Sequence, residues 1–75
     1  MPYIKIKAYP KDPAIKKEIA ERINKAFLEL WGCSQEAISL SIEEVAPEDW
    51  EETVAKAEIE PNADKMLILN GEKRF

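Results

Sequence analysis

Histidine is absent from this 75-residue chain, and cysteine occurs once, at Cys33. Without imidazole, Ser/His/Asp and Cys/His catalysis and the usual zinc spacings are excluded, as is the commonest side-chain acid/base near neutral pH. A lone cysteine makes no intramolecular disulfide, so the chain is not a stapled secreted miniprotein, and a reducing cytoplasm is the expected compartment. No long apolar run, charged-then-apolar leader or Ser/Gly-rich tract is present, which predicts a soluble, untargeted chain without membrane contact. Basic residues are outnumbered 11 to 15, for a net charge of −4 and a pI near 4.8. A phosphate-backbone binder needs clustered Lys and Arg, so nucleic acid is not an expected partner.

The charge that is present is unevenly spread. Residues 1–34 carry seven basic and four acidic side chains, residues 35–64 one basic and ten acidic, and residues 65–75 three basic and one acidic. An anionic ligand is therefore expected toward the two ends of the sequence. The acidic stretch 43–60 read alone suggests a surface for a basic protein partner, although charge runs are usually solvated faces. Seventy-five residues make one domain, spanning 1–75, and so short a chain buries a modest fraction of its surface alone.

Tyr3, Lys5, Lys7 and Tyr9 alternate with Ile4, Ile6 and Ala8, the two-residue period of a half-buried strand. Asp12 followed by Pro13 predicts an N-cap with proline in the first helical turn. From Ala14 to Trp31 the residues Ile15, Ile19, Ile23, Ala26, Phe27 and Leu30 form one apolar stripe, with charged pairs such as Glu18–Arg22 on the other side. Gly32 is a left-handed terminator, and Cys33 beside it is expected to be a buried or semi-buried helix-end residue. Ile38, Leu40 and Ile42 alternate with Ser39, Ser41 and Glu43, giving a second strand. Strand, helix, strand with a helix of this length implies parallel strands.

Ala46-Pro47-Glu48-Asp49 opens a second helix that Trp50, Val54 and Ala57 or Glu58 continue until Pro61. Met66–Leu69 reads as a helix end or a brief strand, and Asn70-Gly71 as a turn that can reverse it. Two parallel strands under one helix leave sheet edges open, which assembly into an oligomer remedies. Side by side, two copies make a four-stranded sheet with two helices on one face. Trp31, Trp50 and Phe75 are candidates to close the interface, with ordinary core burial the alternative.

With no histidine, the group that titrates near neutrality is an α-amine, ordinarily at about 7.7–8. Pro2 follows Met1, and removing Met1 turns the Pro2 nitrogen from an amide into a rigid secondary amine. An apolar pocket and neighbouring cations such as Lys5, Lys7 or Lys11 disfavour its charged form, making it a base. Such a base moves a proton between two atoms of one substrate, which is the chemistry of keto-enol tautomerisation, and it needs no cofactor and no metal.

The opening Met1-Pro2-Tyr3-Ile4-Lys5-Ile6-Lys7, the helix ending at Gly32, the strand Ile38–Ile42, Pro47-Glu48-Asp49-Trp50 and Ala57-Glu58-Ile59-Glu60-Pro61 resemble the 4-oxalocrotonate tautomerase superfamily, within it the PptA-like branch. The resemblance covers nearly the whole chain. It implies an α/β fold with a β-α-β protomer completed by oligomerisation, as a homodimer or as dimers associated further into a hexamer, with a pocket at a subunit interface. It also implies catalysis by Pro2 and a pocket wall at Trp50, whose indole N–H is a donor to a developing enolate oxygen.

Two arginines that clamp dicarboxylates in the family are replaced here by Asp12, beside Lys11, and by Ser39. The expected substrate is accordingly a small monocarboxylic 2-oxo acid such as phenylpyruvate, with its aromatic group against Trp50 and Phe27. Lys11, Ser39 and Arg74 are the candidate substitutes for the missing clamps. A non-catalytic β-α-β assembly module that keeps the scaffold is the alternative in another class.

Overall fold

The computed structural model describes all 75 residues and divides them into two compact units, Met1–Val45 and Ala46–Phe75. The first unit runs β1 (Tyr3–Ala8), α1 (Pro13–Ala26) and β2 (Ser39–Glu44). β1 and β2 pair in parallel, with Tyr3 opposite Ser39 and Ala8 opposite Glu44. This is the expected β-α-β order. The two strands form a two-stranded sheet, leaving an unpaired edge on each within this unit.

The local signals act as their chemistry dictates. The Asp12 side chain accepts from the Ala14 N–H at 2.8 Å, and its carbonyl receives the N–H groups of Ile15 and Lys16. These bonds satisfy donors that a helix start otherwise leaves open. α1 continues through a wider turn, Phe27–Trp31, where the Gly32 N–H reaches back five residues to the Phe27 carbonyl at 3.1 Å. Gly32 then reverses the chain at φ 79°, a left-handed conformation that costs a residue without Cβ little. Cys33 is half-buried, as expected, with Sγ 3.6 Å from the same carbonyl. A reciprocal amide pair, Asn24 with Gln35 at 2.8 and 3.0 Å, ties α1 to the segment that enters β2.

The even-numbered residues of the sheet face α1. Ile6, Ala8 and Ile42 share a cavity wall with Ile15 and Ile19, and Leu40 shares another with Ala20. Tyr3, Lys5, Lys7, Ser39, Ser41 and Glu43 occupy the opposite face by the alternation of strands.

The second unit opens with α2 (Pro47–Trp50), continues through wider helical turns to Ile59 and tightens into a 3-10 stretch, Glu60–Lys65. The helical path therefore passes Pro61, where the sequence predicts a stop. Proline at the start of a new, tighter stretch gives up an N–H that this position does not need, so the path continues. The ambiguous Met66–Leu69 run resolves as a strand, β3 (Ile68–Leu69), paired antiparallel with β4 (Glu72–Lys73). Asn70 and Gly71 have φ of 49° and 83°, the double left-handed conformation of a tight hairpin turn.

Val54, 5% exposed, is the one buried side chain of the chain, whereas Trp31 and Phe75 stay 71% and 82% exposed. Core burial is thus not how this chain uses those two aromatics. No helix is long and apolar enough to cross a membrane.

Candidate active site

Pro2 immediately precedes β1 and is half-buried, while Met1 beyond it is 95% exposed. The Pro2 carbonyl accepts the Ser39 N–H at 3.1 Å, the first rung of the parallel ladder. That bond fixes Pro2 against the start of β2 and makes Ser39 its neighbour. Phe27 belongs to the same end of the unit by topology, because the chain leaves α1 there and turns back into β2. Its ring pairs with that of Trp31 at 5.7 Å and a 51° tilt.

Lys11 lies elsewhere. Six residue steps lead from Pro2 to Ala8, about 20 Å at the usual rise, and Lys11 is further on. It lines a groove of about 300 Å³ with Ile6, Ala8, Ile15, Ile19 and Ile42, and Lys16 stands in the same wall. Within one chain, then, Pro2 and Lys11 occupy opposite ends of the sheet.

Sequence reasoning missed the polar group that organises this groove. The Glu44 carboxylate accepts from the Lys16 ammonium at 2.9 Å and from the Lys11 backbone N–H at 3.1 Å, both at Oε2. The Lys16 hydrogen bond, helped by the Lys11 N–H, holds the Glu44 carboxyl below its ordinary value. Glu44 is 28 and 33 residues away from these partners, so only the strand register brings them together.

Trp50 and Arg74 belong to the second unit. Trp50 is half-buried at the end of α2. Arg74 closes the hairpin onto the 3-10 stretch, its guanidinium donating to the Ala63 carbonyl at 2.6 Å and its backbone N–H donating to the Leu67 carbonyl at 2.7 Å.

The sequence from residue 2 to 51 matches the family described as tautomerase enzymes. The chain belongs to the tautomerase family. The match begins at Pro2 itself and takes in Lys11, Phe27, Ser39, Glu44 and Trp50, while Arg74 lies outside it. A probable tautomerase of Xylella fastidiosa (strain 9a5c) is 29% identical over 72 residues, 95% of this chain and 88% of that protein. The tautomerase PptA of Cronobacter sakazakii is 28% identical over 73 residues, 95% and 96% of the two chains. The tautomerase PptA of Pectobacterium atrosepticum is 29% identical with the same coverage. This tautomerase is an isomerase of a small-molecule substrate, and its family typically works as oligomers.

Proposed function

We propose that the enzyme interconverts the enol and keto forms of a monocarboxylic 2-oxo acid such as phenylpyruvate, with the Pro2 amine carrying the proton once Met1 is removed. The observation that carries this reading is the placement of Pro2: half-buried, pinned through its carbonyl to Ser39 at 3.1 Å, with Met1 projecting into solvent where it can be removed. A ring nitrogen so held has its lone pair in a set direction. The neutral amine takes the enol hydroxyl proton as the C=O bond forms, and the C=C pair takes a proton from the ammonium to make the new C–H bond. One proton enters and one leaves, so the amine is regenerated each cycle.

The substrate's carboxylate needs a cation, and Lys11 lies beyond the far end of β1, whose last residue is about 20 Å from Pro2 by the usual rise per residue. We read the site as shared. Two copies pairing antiparallel along their free β1 edges put Pro2 of one beside the Ala8–Lys11 end of the other, twice per dimer. The sheet face away from α1, with Tyr3, Lys5, Lys7, Ser39, Ser41 and Glu43, is too polar to favour stacking on further copies, which supports a homodimer over a hexamer.

In this reading the 75 residues act as one tautomerase domain, in keeping with relatives matched over nearly their whole length. Phe27 contacts the aromatic group and Ser39 is a further donor beside Pro2, while Trp50 and Arg74 stand in the second unit. The free thiol of Cys33 fits a cytoplasmic enzyme.

The test compares Met1-free protein with a variant carrying one residue inserted before Pro2. The first is expected to tautomerise phenylpyruvate at a rate that rises with pH through a single ionisation; the second is expected to keep its circular dichroism and lose turnover. Undiminished turnover in the insertion variant rules out the Pro2 mechanism.

A further inference from the structure

The groove at the far end of β1 holds two lysines, yet their charges are not equally available. Lys16 Nζ is 2.9 Å from Glu44 Oε2, in an ion pair whose side chains are 31% and 37% exposed. Lys11 gives the same oxygen only its backbone N–H, at 3.1 Å. Its ammonium enters none of the chain's ion pairs. The nearby Asp12 carboxylate is committed to the Ala14 N–H at 2.8 Å. What remains is one uncommitted cation at the lip of a cleft walled by Ile6, Ile15, Ile19 and Ile42.

We propose that Glu44 determines substrate charge: by engaging Lys16 it leaves Lys11 as the single free cation, so the groove takes an amphipathic monocarboxylate and rejects a dicarboxylate. The carboxylate lies on Lys11 and the apolar portion among the isoleucines. A second carboxylate reaching toward Lys16 meets the negative charge of Glu44 and is repelled. This assignment rests on the reading of the groove as part of the tautomerase site, and it adds a residue that the loss of the arginine clamps does not name. Glu44 here is a specificity residue that acts through Lys16.

Glu44→Gln isolates the effect. A glutamine keeps an oxygen for the Lys11 N–H, so the loop stays anchored, but it no longer neutralises Lys16. In Met1-free protein the variant is expected to shift kcat/KM toward enol-oxaloacetate, a dicarboxylate, relative to enol-phenylpyruvate by about tenfold, the effect of roughly one charge contact. Glu44→Asp, which keeps the charge, is expected to retain the wild-type ratio.

A second measurement needs no turnover. Isoleucine methyl NMR follows the binding of phenylacetate and phenylsuccinate, and Ile15, Ile19 and Ile42 are expected to report both. The affinity ratio is expected to move toward phenylsuccinate by about the same factor in Glu44→Gln. That binding shift without turnover in the wild type upholds the role of Glu44 and defeats only the tautomerase reading of the groove. An unchanged ratio in Glu44→Gln, or methyl shifts confined to other sites, overturns the proposal even where the enzyme is active.

Discussion

The two units of the chain differ in where their order comes from. In Met1–Val45 every boundary has a local cause: an alternating strand, a capped helix with proline in its first turn and a glycine terminator, yet no side chain there is fully buried. In Ala46–Phe75 the local causes are weaker. α2 starts at Ala46 with no side-chain cap, its turns widen and then tighten, and the strands are two residues long, but this unit holds Val54, the one buried residue. Strong local encoding and burial are separate sources of stability, and this chain places them in different segments.

The comparison breaks most readily at Val54. Val54→Asp puts a charge where solvent is excluded and is expected to cost roughly 3 kcal/mol or more, read by urea unfolding at fixed protein concentration. A cost below about 1 kcal/mol, the size of an ordinary surface change, contradicts the assignment of burial to this unit.

The glycines come next. Gly32→Ala and Gly71→Ala each force an L residue to φ near 80°, and neither added methyl has a neighbour within 4 Å, so each cost is backbone strain alone. Both are expected to lose about 1–2 kcal/mol. Equal values in the two units show that turn chemistry acts the same way in both.

Capping sharpens the contrast. Asp12→Ala removes a made cap and is expected to cost about 1 kcal/mol, while Ala46→Ser supplies a missing one and is expected to gain up to about 1 kcal/mol. A gain at Ala46 from thermal or urea melts identifies the second unit's weak start as a chemical deficit rather than a geometric one.

The smallest effect is electrostatic. The fold lowers the Glu44 carboxyl below its ordinary value, chiefly through the Lys16 hydrogen bond. The folded state therefore binds fewer protons there than the unfolded chain. The resulting stabilisation is present above the ordinary carboxyl value and fades as pH falls through the lowered one. Carboxyl-carbon NMR is expected to show Glu44 titrating below its ordinary value, and Lys16→Met is expected to raise it back.

Much of the first unit was legible in the sequence because its signals are short-range. The alternation at 3–8, the Asp12-Pro13 start and the Gly32 stop each depend on residues a turn or less apart. The Asn70-Gly71 reversal was legible for the same reason, and Pro2 stood out because histidine is missing. Pro61 misled the reading, since a proline marks a helix stop only where a carbonyl of the preceding turn needs its N–H.

From the sequence alone came the β-α-β order, the turn positions, Pro2 as the candidate base and the resemblance to the tautomerases, all of them carried by neighbours along the chain or by motifs. Only the tertiary structure decided that Ser39 sits against Pro2, that Glu44 holds Lys16 and the Lys11 loop, and that Lys11 lies at the far end of the sheet from Pro2. The reason is register: a parallel pair joined through a helix can slide by two residues without changing any local pattern, and packing alone selects the alignment that brings those distant groups together.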